Sequence, residues 1–170
     1  MNLLLVKKVT STLLISEIDM STPREASRPD ARGFPAPAEG FVVTHLLIVA
    51  DQDRSREYYQ NVLGAVVIRE RNPVALRLSN SWLILNTGGG PTDDKPNVIA
   101  APPQSARVVT SALNIRVADI AAIYREWRSR GAAFLTEPKD HGTEIRCYLK
   151  DPDGHLIEVG QATGILEEHR

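Results

Sequence analysis

Cysteine is almost missing: Cys147 is the only one in 170 residues. That excludes an internal disulfide and a cysteine-built zinc cage, and it fits a reducing, cytoplasmic setting. A basic excess is missing as well. The 20 Lys and Arg residues meet 21 Asp and Glu, for a formal net charge of -1. Nucleic-acid binding usually needs a basic face, so no nucleic-acid partner is expected. No run reaches the roughly 18 apolar residues of a membrane span, so no membrane partner is expected either. The opening MNLLLVKKVTSTLLISEI is broken early by Lys7 and Lys8. It lacks the apolar core of roughly 7–15 residues and the cleavage site of a secretory signal. What is present is a 42% apolar content, enough for one domain of ordinary size or two small halves sharing a core.

Residues 1–40 read as a disordered tail. The stretch STPREASRPDARGFPAPAEG is rich in Pro, Ser, Ala and Arg and has little to bury. Met20 opens it, and translation is expected to start there. The ordered domain is expected over residues 41–165, with modules at 41–88 and 107–161 and a Gly/Pro-rich linker at 89–106. The GGGPTDDK segment lacks the Gly-Lys-Ser/Thr ending of a phosphate loop and precedes no helix.

The two modules spell one pattern twice. VVTHLLIVAD is an apolar, β-branched run that reads as a strand, and SALNIRVAD repeats it 68 residues later. Each ends in Val-Ala-Asp, and an Asp there suits the N-cap of a helix. Ile120, Ile123, Tyr124 and Trp127 follow the i, i+3, i+4, i+7 spacing of a core-facing helical stripe. Both helices run into Gly-Ala, at Gly64-Ala65 and Gly131-Ala132, where a left-handed residue stops a helix. Three strands are expected after each helix: AVVIRE, VALRLS and SWLILN, then AAFLTE, EIRCYLK and HLIEVG. The fold class is therefore α+β, built from two β-α-β-β-β modules.

One residue stands out in the closing DPDGHLIEVG. Glu158 sits between Ile157 and Val159 in an apolar strand. Two such modules, the DQDRSREYYQNVLGA opening and the closing DPDGHLIEV together resemble the vicinal oxygen chelate superfamily. This is the glyoxalase, bleomycin-resistance and extradiol-dioxygenase group. The resemblance implies a cupped mixed sheet with the helices outside. It also implies one divalent metal (Zn, Ni, Mn or Fe) in many members and none in the drug-binding ones. Metal enzymes of the group polarise two neighbouring substrate oxygens. The fold alone does not choose among lyases, isomerases, dioxygenases and metal-free binding proteins.

The family's ligand positions lie on the first and last strand of each module. Glu158 matches one of them, as tentative metal ligand and catalytic carboxylate. His45 resembles the family's metal histidine, but it stands six residues before its aspartate rather than seven. Strand alternation then puts it on the core side, with Leu113 as its counterpart, unless a bulge returns it. Ile84 aligns with Glu158, and Asn114 stands on the first strand of module two. A catalytic metal usually has at least three protein ligands.

Alternation also places Asn114, Arg116, Arg146, Tyr148 and Glu158 on one face, with Trp82 or Ile84 expected to close the pocket. The arginines suit an anionic or carbonyl-bearing ligand. Alternatively, Glu158 pairs with Arg146 or Arg116 as a structural ion pair. Three functions stay open at this point, one of them a domain whose pocket is vestigial and whose role is a protein interface. Another is a metal-dependent glyoxalase-like lyase, isomerase or dioxygenase acting on a small oxygen-rich molecule. The other is a metal-free, homodimeric protein that binds and sequesters a small molecule of antibiotic type.

Overall fold

The computed structural model describes residues 34–105 and 107–162. The Met20 start, the tail up to residue 33 and residues 163–165 lie outside the described residues. The first module runs β1 (Thr44–Ile48), α1 (Gln52–Asn61), β2 (Val66–Arg69), β3 (Val74–Leu78) and β4 (Ser81–Asn86). The second runs β5 (Ala112–Arg116), α2 (Ile120–Ser129), β6 (Ala133–Phe134), β7 (Lys139–Asp140), β8 (Glu144–Lys150) and β9 (Leu156–Ala162). Each module has its own mixed sheet, ordered β1-β4-β3-β2 and β5-β9-β8-β6, with β7 added against β8. In each sheet the first and last strands pair in parallel and the remaining pairs are antiparallel. The α+β architecture of two repeated modules is thus present. The AAFLTE strand is shorter than expected, and Lys139–Asp140 adds a strand that the sequence did not announce.

The helices start and stop where short-range chemistry requires. Asp51 is extended and its carboxylate accepts from the amides of Asp53 and Arg54. Asp119 accepts likewise from Ala122. These bonds satisfy amides that the first turn leaves free. Gly64 (φ 79) and Gly131 (φ 100) take the left-handed conformation that turns each chain off its helix.

One face of each sheet carries the core. Leu47, Val49, Val74, Leu76, Leu83 and Leu85 pack with Tyr59, Val62 and Leu63. Cys147, Leu149, Ile157 and Val159 join the same cluster with Ile120 and Trp127. No helix of the described residues lies on the opposite faces, and it is there that the two modules differ.

The Asp151–His155 loop of the second module clasps the first. Asp153 accepts from the Ala50 amide (2.8 Å), from Ser55 Oγ (2.6 Å) and from Arg54 Nη2 (2.6 Å). Buried Asp151 accepts from Tyr59 Oη (2.9 Å), and a ring nitrogen of His155 bonds the Ile48 carbonyl (2.8 Å). The matching turn of the first module joins Leu78 directly to Ser81 through two residues, Ser79 and Asn80. That turn is too short to make an equivalent clasp. A cleft of about 390 Å³ lies between it and β5, lined by residues including Leu78, Ser81, Leu83, Leu113, Asn114 and Arg116.

Candidate functional site

The register of the second sheet assembles the site. Asn114, Glu158 and Tyr148 are direct neighbours across β5, β9 and β8, and Arg116, Gly160 and Arg146 form the next row. Their side chains alternate with the core residues Ile157, Val159, Cys147 and Leu149, so they share the helix-free face. The five residues that alternation groups on one face in the sequence therefore come together.

Glu158 is committed on both oxygens. Asn114 Nδ2 donates to Oε1 at 2.5 Å, and Tyr148 Oη donates to Oε2 at 2.6 Å. Arg116 Nη1 stands 3.7 Å from Oε1. The bond to Glu158, followed by burial, raises the Tyr148 phenol above its ordinary value and keeps it a donor.

Glu144 completes the face, and the sequence reading did not single it out. Its Oε2 accepts both terminal nitrogens of Arg116 (2.9 and 3.0 Å), and its Oε1 accepts Arg146 Nη1 (2.6 Å). Hydrogen bonds from Arg116 and then Arg146 hold its carboxyl below the usual carboxylate range. The signal was available: Glu144, Arg146 and Tyr148 alternate in EIRCYLK. Two carboxylates thus offset two guanidinium groups. Both arginines already hold Glu144, so their charge is compensated within the face. Arg116 lies across Gly160, where a methyl group would collide with its guanidinium.

The other residues of interest lie elsewhere. His45 pairs with Leu83 in register and alternates onto the core face with Leu47 and Val49. It is half-buried, and burial, then the charge of His155, lowers its pKa, so the ring stays neutral. Trp82 lies on the helix-free face of the first sheet, between Thr44 and Arg77. In that sheet Leu46 pairs with Ile84, as Asn114 pairs with Glu158 in the second, so Ile84 holds the place equivalent to Glu158. His141 is exposed in its loop. Burial pushes the Cys147 thiol up to about 11, which makes it a poor nucleophile.

A divalent metal does not fit this donor set. Ile84 has no donor atom, Asn114 is a poor transition-metal ligand and His45 is on the core face. Glu158 is the one side chain of this row able to ligate an ion, and a single carboxylate falls short of the three protein ligands a catalytic metal usually has. Among the described residues no three His, Cys, Asp or Glu side chains are grouped to hold one. No helix of the described residues is long and apolar enough to cross a membrane.

Comparison with known proteins agrees with the architecture. The family model described as the Glyoxalase/Bleomycin resistance protein/Dioxygenase superfamily matches residues 42–159. A protein of that description from Alicyclobacillus acidocaldarius has a similar structure, with TM-score 0.58 and 16% identity over 73% of this chain and 92% of that one. An antibiotic-binding protein from a Streptomyces species gives TM-score 0.53 and 19% identity over 75% and 100%. The fosfomycin resistance protein FosX from Mesorhizobium loti gives 0.52 and 14% over 74% and 93%. At these identities the likeness concerns the fold.

Proposed function

Since the chain belongs to the glyoxalase/bleomycin resistance protein/dioxygenase superfamily, we propose that it is one of its metal-free members, a binding protein that sequesters a small, uncharged, amphipathic molecule. The observation that carries this reading is the state of Glu158. Its two oxygens are engaged by Asn114 and Tyr148, and isoleucine stands at the equivalent place in the first module. The carboxylate keeps lone pairs for a hydrogen bond from a ligand, but no companion ligand stands beside it to share a metal.

The charge balance of the face supports a neutral ligand. Glu144 and Glu158 balance Arg116 and Arg146, so a charged ligand would have to break an ion pair in order to bind. A neutral ligand can instead add hydrogen bonds at the rim of the network. The cleft beside β5 shares Asn114 and Arg116 with this face, and Leu78, Leu83, Leu113 and Ile115 give it an apolar lining. A molecule with one polar edge and one apolar body matches both parts. An antibiotic-binding protein shares the fold, and sequestration without turnover is the kind of function that such a site supports.

The test uses untagged protein incubated with Zn, Ni, Mn and Fe and then desalted. Elemental analysis is expected to find far less than one metal per chain. A thermal-shift screen of uncharged small molecules is expected to give hits that weaken in Asn114→Ala and Tyr148→Phe, because a ligand of the native state raises its midpoint. Near-stoichiometric metal that disappears in Glu158→Gln would overturn the reading in favour of a metal-dependent lyase, isomerase or dioxygenase.

A further inference from the structure

The helix-free face of the first sheet contains an anomaly of burial. Leu46, Ile84, Ala75 and Arg69 form one row across β1, β4, β3 and β2. Leu46 is 57% exposed, as a residue on an uncovered face would be. Yet Ile84 is only 8% exposed and Ala75 is fully buried. No helix of the described residues lies on this side.

Among the described residues, the segment FPAPAEGFV, residues 34–42, reaches Ile84 at the middle of this row. Phe34, Pro35, Pro37, Phe41 and Val42 line a cleft of about 410 Å³ together with Thr44 and Ile84. The Arg69 guanidinium stacks over the Phe34 ring, 5.0 Å from its centre. Pro35 and Pro37 restrict the backbone of the crossing and lower the entropy lost in laying it down. Gly40 (φ 66) supplies the left-handed turn that brings the chain back to β1.

We propose that residues 34–42 form a displaceable strap that closes the open face of the first sheet. The attachment is narrow. Phe34 is half-buried, Phe41 is 87% exposed, and the neighbouring Leu46, Val66 and Ile68 stay uncovered. The strap also spans a space instead of filling it, since the cleft remains beneath it. A short segment without secondary structure and with exposed residues such as Phe41 opens at low cost. Its release adds Ile84 to the apolar surface that Leu46 and Val66 already expose. The proposal is independent of the ligand reading of the second sheet, because it concerns only the first.

The test measures binding of the neutral fluorescent dye N-phenyl-1-naphthylamine to the full-length chain. Phe34→Ser and Arg69→Ala are each expected to raise the dye fluorescence several-fold, with circular dichroism unchanged. Phe34→Trp should stay at the wild-type level. A synthetic FPAPAEGFV peptide added in trans should return the Phe34→Ser signal toward wild type. The rise caused by Phe34→Ser should be the same in an Asn114→Ala background, where dye held at the second-sheet face is already weakened, which separates this test from that of the ligand site. Dye binding equal to wild type in both loosened variants, or a raised signal that the peptide fails to lower, would overturn the strap.

Discussion

Asp153 Oδ2 accepts the hydroxyl of Ser55 at 2.6 Å, across 98 residues of sequence, with the Asp153 side chain only 1% exposed. This one carboxylate also holds the Ala50 amide and Arg54, so it fastens the second module to the start of α1.

Removing Asp153 is therefore expected to cost more than removing Ser55. Asp153→Ala breaks three bonds to a charged acceptor and should destabilise by about 3 kcal/mol, whereas Ser55→Ala leaves two of them and should cost about 1 kcal/mol. Urea unfolding measures both. Equal and small effects would mean that the clasp does not hold the modules together.

Glu144→Gln changes the charge of the second sheet without removing bulk. Arg116 and Arg146 lose their shared carboxylate, and the face becomes net positive. Phosphate, which should not shift the melting midpoint of the wild type, is expected to raise that of the variant. The rise should fade at high salt, where exposed charges are screened.

His45 makes the acid side of the stability profile informative. Its folded-state pKa lies below the ordinary value, because burial and then His155 disfavour the charged ring. As pH falls below about 6.5 the unfolded chain takes up this proton first, so stability declines. His45→Leu removes that decline and is expected to match or exceed the wild-type midpoint at pH 7. If the variant instead loses ligand binding and keeps the decline, His45 is not a core residue.

The alkaline side rests on buried acids. Burial holds the Cys147 thiol up to about 11 and the Tyr59 phenol well above its usual value. Above about 8.5 the unfolded chain releases the thiol proton while the folded chain retains it, so stability falls as pH rises toward 11. At pH 8 a thiol reagent should leave Cys147 untouched until denaturant is added. Rapid labelling of the native protein would contradict its burial.

The sequence made the repeat legible because repeated turns and caps are local. Asp51, Asp119, Gly64 and Gly131 each act within a few residues of themselves. It made Glu158 and its neighbours legible because strand alternation carries a side chain's face along with its number. It concealed Glu144, whose alternation was visible but whose position matches none of the family's ligands. The clasp was concealed for a different reason. DPDG reads as a turn, and nothing in four residues states that Asp153 will meet Ser55. The covering of Ile84 by residues 34–42 was hidden by composition, since a Pro- and Ala-rich stretch looks as if it has nothing to bury. Both are long-range contacts, which local chemistry does not encode.

Gly160 gives the second sheet a dependence that its own conformation does not explain. The space above its α-carbon is taken by the Arg116 guanidinium. A single methyl group at position 160 would act as a wedge, and the flexible end of the arginine is the part that would yield. Gly160→Ala should then fold as before, yet leave Glu144 with one guanidinium instead of two. Two unlike substitutions, one that adds a methyl group at Gly160 and one that neutralises Glu144, should therefore loosen the same arginine. The smallest residue in the strand thus sets the position of one of the largest.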